Sequence, residues 1–319
     1  MGLLYGGNTG VTLFFLLSGF LLTRPFIAGV PRHFGIFLAR RALRILPMYY
    51  LAVLIGALIN NQWLVALKSM FFYGIELNTL WPMGGVWWSL VVEIQFYLLL
   101  PLLVWLADRP RWRWLLLPLL IAAVLTYLRI RSAGPQEFGS MRGNLMGRWP
   151  VFLLGAALAW NQIRHGETLK LLVTRTPWLG TTLLITSVCA LVLLCDYRVR
   201  NFGWLAHVFF FDYYLFDGIA WAAFMFALLN FKPLGRRLLV NSFMDRLGAW
   251  SYSIYLLHTA VIFYIAKKWH VYTPSDITST ITFGVVLLLI CVGLASITYT
   301  YVEQPFLRIK LVNRPFSVK

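Results

Sequence analysis

The chain has 319 residues, of which 60% are hydrophobic and only 12% are charged. A soluble domain carries about 25% charged and about 45–50% apolar residues, so this composition excludes a soluble enzyme, a disordered protein and a disulfide-stapled secreted module. It indicates a helical protein that crosses a membrane several times. The net charge of +17 does not point to nucleic acid here, because Lys and Arg collect in the cytoplasmic loops of membrane proteins.

Nine apolar segments predict nine transmembrane helices, since about 20 apolar residues in a helix cross the hydrocarbon core. In chain order the segments are 10–23, 45–59, 86–107, 114–128, 149–160, 178–195, 211–231, 249–266 and 279–301. No internal repeat or linker separates them. We therefore expect an all-α, polytopic membrane protein that forms one domain over residues 1–319 and is surrounded by membrane lipids.

The distribution of charge predicts the orientation in the membrane. With the N-terminus outside, 19 of the 28 Lys and Arg residues fall in inner segments and 9 in outer ones. The positive-inside rule then places the C-terminus in the cytoplasm. An outside N-terminus without a signal-peptide pattern, ahead of a short first span, also predicts that one helix is missing before Met1.

The clearest candidate for chemistry is Glu93, because charged groups inside a membrane are costly and usually face a partner or a cavity. Ser89, Glu93 and Tyr97 recur at every fourth position and so share one helix face. A buried carboxylate there could act as a general base or orient another group. The alternative is a structural hydrogen bond or salt bridge between helices.

A cluster of arginines precedes the second span. Arg40 and Arg44 are one helical turn apart, and Arg41 flanks them. Guanidinium groups bind phosphates through two hydrogen bonds at once. The alternative is ordinary anchoring of a span at its cytoplasmic end.

A third candidate face lies in the eighth span, where Ser251, Tyr255 and His258 share one side of the helix. A histidine at this depth could carry a proton, or simply hydrogen-bond a neighbouring helix. No cluster with metal-ligand spacing, phosphate-binding glycine loop or nucleophile elbow is present in the sequence, so we expect no bound metal or cofactor.

Several other residues carry structural expectations. The pair Ser18-Gly19 would allow two helices to approach closely. Tyr214 is expected in an interfacial aromatic belt, and Asp217 lies deeper in the same span. Glu303 closes the last span and is expected at the inner surface.

The chain resembles the integral membrane acyltransferase-3 family through five motifs that occur in the family's order. They are 14–20 (FFLLSGF), 40–47 (RRALRILP), 88–97 (WSLVVEIQFY), 251–258 (SYSIYLLH) and 301–305 (YVEQP). Each motif alone is weak, but five in order at compatible spacing are a strong signal, and they extend over nearly the whole chain.

The resemblance implies a bacterial inner-membrane O-acyltransferase with ten helices. Such enzymes move an acyl group, often acetyl, from cytoplasmic acyl-CoA to a hydroxyl of a carbohydrate or cell-envelope glycan, such as a lipid-linked sugar. Acyl-CoA is then a co-substrate. The resemblance also implies that Arg40, Arg41 and Arg44 serve the acyl donor, and it strengthens the functional interpretation of Glu93.

We accordingly take Glu93, Ser89 and His258 as candidate catalytic residues. Ser18, Gly19, Tyr97, Tyr255 and Glu303 are motif positions, of which Tyr97 and Tyr255, like Ser89, could stabilise an oxyanion.

One departure from the family concerns a histidine. The family's key histidine lies in its first helix, ahead of segment 14–20, and the sequence begins too late to contain it. His258 matches a different family position and does not take that role. Either the real start codon lies upstream, or the protein is shortened and inactive. Two alternatives to an active enzyme stay open: a shortened non-catalytic relative, and a transporter, which would also bury Glu, Asp and His residues in its spans.

Overall fold

The computed structural model describes residues 7–29, 33–76, 78–132, 144–166, 176–200, 210–231, 233–234, 236–269 and 277–309. These residues form helices and no β-strand, which confirms the all-α prediction. The helices are α1 Gly7–Ile27, α2 Phe34–Asn60, α3 Trp63–Met70, α4 Trp87–Asp108, α5 Leu116–Ser132, α6 Trp149–Arg164, α7 Pro177–Arg200, α8 Phe210–Asn230, α9 Arg236–Leu239, α10 Ser242–Trp269, α11 Ile277–Thr298 and α12 Gln304–Leu307.

Each of the nine predicted spans coincides with one long helix. In the described part of the chain, six of these are long and apolar enough to cross a membrane: α1, α2, α4, α7, α10 and α11. Helix α6 has 16 residues and rises only about 24 Å, against a hydrocarbon core of about 30 Å. The polytopic helical architecture is thus confirmed, whereas membrane crossing by α5, α6 and α8 stays a prediction.

Helix α2 begins at Phe34, well before the predicted span at 45–59. The intervening Arg, Ala and Leu residues favour helix, so the helix continues through them, and the arginine cluster lies within α2 rather than ahead of it. The helix ends at Asn60, and the next residue, Asn61, has a left-handed φ of 52°, a conformation that commonly terminates helices.

The chain divides into two compact units. Unit 1 comprises Met1–Arg32 and Val92–Leu239, and unit 2 comprises His33–Val91 and Val240–Lys319. The first turn of α4 therefore belongs to unit 2 and the rest of the helix to unit 1. The two units are described separately below.

Unit 1 is built around the crossing of α1 and α6. A Cβ on Gly19 would overlap the carbonyl oxygen of Phe152, and a Cβ on Gly155 would overlap the carbonyl oxygen of Leu16. The two glycines thus bring the helix backbones into direct contact, as small residues do in membrane helix pairs. The close approach predicted for the Ser18-Gly19 pair is confirmed. Helix α8 packs on α1, α6 and α7.

Unit 2 is built around α2, which packs against α3, α10 and the end of the last span. The buried ring of Tyr49 stacks on Phe72 with centroids 4.5 Å apart, and meets Trp87 edge-on at 5.3 Å. The Tyr49 hydroxyl donates to the carbonyl of Ser69 over 2.7 Å. A tyrosine buried this deeply usually finds a partner for its hydroxyl, and here that partner ties α2 to α3.

Candidate active site

Glu93 is a buried carboxylate in unit 1, with only 3% of its surface exposed. Its Oε1 accepts a hydrogen bond from the Ser18 hydroxyl over 3.1 Å. The same oxygen accepts a second hydrogen bond from the hydroxyl of Tyr97, one turn further along α4. The structure thus gives Glu93 partners both across a helix interface and within its own helix.

Aromatic packing holds this turn of α4 in place. The Phe96 ring lies 4.2 Å from the ring of Phe152, measured between centroids, and Phe152 stacks on Phe15 at 5.0 Å. On another side of α4, Oε1 of Gln95 accepts a hydrogen bond from the backbone N–H of Leu145 over 2.7 Å. These contacts fix this turn of α4, and the hydrogen bonds from Ser18 and Tyr97 hold the carboxylate of Glu93 itself, as a precisely placed catalytic group requires.

Ser89 and Tyr255 form a hydroxyl pair in unit 2. Their oxygens are 2.6 Å apart, and either one could be the donor. Each hydroxyl also lies within hydrogen-bond distance of the Val86 carbonyl, at 2.9 Å for Ser89 and 3.1 Å for Tyr255. Whichever hydroxyl donates to the other, its partner can donate to Val86. Both protons are therefore satisfied inside the protein, and an oxyanion would have to displace one of these bonds.

His258 is half-buried in unit 2, next to that pair. Its Nδ1 lies 2.7 Å from the carbonyl oxygen of Tyr255. Because a carbonyl can only accept, this contact places the proton of a neutral imidazole on Nδ1. The Nε2 atom then carries the lone pair, which is the form of histidine that can take up a proton.

The three arginines of α2 differ in exposure. Arg40 is exposed, whereas Arg41 and Arg44 are half-buried. The guanidinium carbon of Arg41 lies 5.9 Å from the ring centroid of Phe37, one turn earlier, near the limit of a cation–π contact. Positions 40, 41 and 44 follow at helical spacing, so all three side chains emerge within about one turn of helix.

Glu303 is fully buried inside the protein, with 0% of its surface exposed, and its depth at the inner surface of the membrane stays a prediction. It ends a π-helical segment, Tyr299–Glu303, that joins α11 to α12. Its Oε1 accepts a hydrogen bond from the Ser253 hydroxyl, and Thr298 donates to the Ser253 oxygen over 2.9 Å. Glu303 is thus the last residue of a π-helical turn, a feature common at functional sites.

Arg148 is a buried charge that the sequence did not single out. It is only 4% exposed, and its guanidinium carbon lies 3.2 Å from the ring centroid of Tyr214. Tyr214 is itself buried, so its predicted place in an interfacial belt is wrong. Asp217, three residues further along α8, is completely buried. The sequence feature that could have drawn attention to this buried region is Asp217, an acidic residue inside a predicted span.

The described candidates thus fall into two groups. In unit 1, Ser18 and Tyr97 meet at Glu93. In unit 2, Ser89, Tyr255 and His258 lie together, and Glu303 joins Ser253.

Comparison with known proteins identifies the family. A family model described as "Acyltransferase domain", that of acyltransferase-3, matches residues 2–300. Nodulation protein 10 from Rhizobium leguminosarum bv. viciae is 24% identical to this chain over an alignment of 347 residues. The alignment covers 97% of this chain and 85% of that protein. No solved structure matches the chain. With its membrane-spanning helices, the chain therefore belongs to the acyltransferase-3 family and is a multi-pass membrane acyltransferase that transfers groups other than aminoacyl groups.

Proposed function

We propose that this protein transfers an acetyl group from acetyl-CoA to a hydroxyl of a carbohydrate or cell-envelope glycan. The observation that carries the proposal is the buried Glu93 carboxylate, held by Ser18 and Tyr97 in a chain of the acyltransferase-3 family. Ionisable residues inside membranes are expensive to keep and are usually functional. A carboxylate fixed in this way is suited to proton transfer or to orienting a reacting group.

The proposed step is a direct exchange at the thioester. The sugar hydroxyl oxygen bonds to the acetyl carbonyl carbon, the carbon–sulfur bond breaks, and the hydroxyl proton leaves and is finally returned to the CoA thiolate. Each unit offers a group suited to take up that proton: the carboxylate of Glu93 in unit 1 and Nε2 of His258 in unit 2. Oxyanion charge that develops on the carbonyl oxygen needs hydrogen-bond donors, for which the candidates are Tyr97 in unit 1, and Ser89 and Tyr255 in unit 2.

Arg40, Arg41 and Arg44 bind the phosphates of the acyl donor in this proposal. Phosphate binding by guanidinium groups is strong because the hydrogen bonds are charge-assisted and can be bidentate. The exposure of Arg40 supports this role, because its guanidinium is accessible to a ligand. Arg41 and Arg44 are half-buried, so packing restricts their side chains.

The same proposal places the protein in the bacterial inner membrane with the C-terminus in the cytoplasm. The excess of 19 inner over 9 outer Lys and Arg residues supports this orientation. Many of these loop cations, among them Arg142, Lys170 and Arg314, lie outside the described residues. The orientation puts the arginine cluster on the side where acyl-CoA is made available.

Transfer of label from acetyl-CoA in membrane vesicles tests the function. Inside-out vesicles that contain the protein are incubated with [14C]acetyl-CoA, and the glycan and lipid-linked sugar fractions are separated and counted. We expect label in one of these fractions as an alkali-labile ester, and none with membranes that lack the protein. If all label remains on CoA and none appears in any carbohydrate fraction, the proposal is contradicted.

A further inference from the structure

The residues around Glu303 suggest a purpose for this second buried acid. Its Oε1 is held by Ser253, whereas Oε2 is buried and has no hydrogen-bond partner among the residues that the structure describes. The positive charge of Arg44 acts on this carboxylate, although no hydrogen bond joins the two side chains among the described residues. A buried carboxylate needs such a partner, because an uncompensated charge in this environment is expensive.

Two adjacent residues of α10 link the backbone beside Arg44 to the carboxylate of Glu303. Tyr252 donates a hydrogen bond from its hydroxyl to the carbonyl of Ile45 over 2.9 Å, and Ile45 directly follows Arg44. Ser253 donates to Glu303. The same turn of α10 is therefore bonded to α2 at the residue after Arg44 and to the π-helical segment at Glu303. The π-helical segment and α12 also pack directly on α2.

We propose that Glu303 is a positioning residue whose buried carboxylate orients the guanidinium of Arg44 for binding a phosphate of the acyl donor. The inference rests on the proposed function, in which Arg44 binds the donor. A guanidinium has five N–H donors in a rigid fork, so one edge can face the carboxylate while the other faces a phosphate. Arg44 is half-buried, which leaves part of the group available to a ligand.

The test compares two acetyl donors, one with phosphates and one without. Acetyl-CoA carries the phosphates, whereas S-acetylpantetheine has the same thioester and none of them. Glu303→Gln keeps the shape of the side chain and removes its charge. We expect the KM for acetyl-CoA to rise about tenfold, the scale of a weakened charge-assisted hydrogen bond. The kcat should stay within about twofold, and the KM for S-acetylpantetheine should not change.

Arg44→Gln and the double variant complete a cycle. Arg44→Gln should raise the KM for acetyl-CoA at least as much, again without effect on S-acetylpantetheine. If Glu303 acts through Arg44, the double variant will be no worse than Arg44→Gln alone, because coupled residues are not additive. Glu76→Gln, the same exchange at an exposed acid, is the matched control and should leave both KM values unchanged.

A second variant keeps the test decisive if Glu303→Gln does not accumulate in membranes. Ser253→Ala removes the hydroxyl that holds the carboxylate and keeps both charges. It should raise the KM for acetyl-CoA about threefold, which is about half of a tenfold step on a logarithmic scale. The KM for S-acetylpantetheine should not change.

The outcomes separate the inference from the function on which it rests. A rise in the acetyl-CoA KM for Arg44→Gln, with Glu303→Gln and Ser253→Ala at wild-type values, would overturn the positioning role and leave the function intact. Equal changes with both donors in the Glu303 variant would indicate a purely structural carboxylate and would also overturn it. If instead Arg44→Gln binds acetyl-CoA as the wild type does, the donor-binding part of the proposed function fails.

Discussion

The hydroxyl of Ser18 donates a hydrogen bond to Oε1 of Glu93, although 75 residues separate the two along the chain. Ser18 comes from α1 and Glu93 from α4, and the tight packing of α1 on α6 at Gly19 sets the position of the donor. Ser18, predicted to serve helix packing, is thus also a partner of the candidate catalytic acid. The geometry of the site therefore depends on the close approach of α1 and α6 at this crossing.

Replacing Glu93 tests its catalytic role. Glu93→Gln keeps the side chain's length but removes its charge and its ability to accept a proton. We expect kcat to fall by about 10²-fold or more, the usual contribution of a general acid or base, while membrane insertion is retained. Labelled acetyl transfer and the amount of protein in membranes are the two measurements. Wild-type kcat in this variant would contradict the assignment; Glu76→Gln is the control.

Replacing the arginines tests the donor site. Arg40→Gln and Arg44→Gln should each raise the KM for acetyl-CoA about tenfold and change the KM for the acceptor much less. Arg111→Gln removes an exposed arginine that the same orientation places on the inner side, and we expect no effect. Steady-state kinetics with each substrate varied in turn measure the difference. An unchanged donor KM would mean that the cluster only anchors the span.

Two replacements of His258 test the roles of its two ring nitrogens separately. His258→Asn keeps an N–H near the position of Nδ1, which can still donate to the Tyr255 carbonyl, and removes Nε2. If Nε2 takes up the proton, kcat should fall about 10²-fold with little loss of stability. His258→Gln, which instead places its amide near Nε2, serves as the comparison. A His258→Asn variant that retains normal kcat would leave Glu93 as the proton acceptor.

Adding one methyl group at Gly19 tests the helix crossing. In Gly19→Ala the Cβ would overlap the Phe152 carbonyl oxygen, so α1 and α6 must move apart, and overpacking of this kind costs about 1–3 kcal/mol. Thermal unfolding in detergent should show a lower Tm together with reduced activity. The control is Gly10→Ala on the same helix, where no atom lies within 4 Å of the added Cβ. Equal Tm values for the two variants would contradict the close crossing.

Local sequence was sufficient for the positions of the long helices. Each predicted span coincides with a helix because backbone groups in a membrane must be satisfied within their own segment, and long apolar runs leave few other options. The ends were less predictable. The start of α2 at Phe34 was missed because hydrophobicity marks the apolar part of a helix and not its charged first turns.

The motif pattern was also sufficient to select the candidate residues and the family. Helical periodicity placed Ser89, Glu93 and Tyr97 on one face, and the hydrogen bond from Tyr97 to Glu93 is a contact between neighbouring turns of one helix. Such contacts follow from spacing alone. The family then followed from five motifs in order, which extend along the chain and require no knowledge of how its helices pack.

Only the tertiary structure decided which groups meet across helices. It brought Ser18 to Glu93 and Ser253 to Glu303, and it buried Arg148 against Tyr214. Hydrophobicity and charge counts give the place of a residue relative to the membrane but not its burial by other helices, so they did not predict that Glu303 and Arg148 are buried. The burial of a side chain depends on the neighbouring helix that covers it, and that neighbour is set by packing between segments that are distant in sequence.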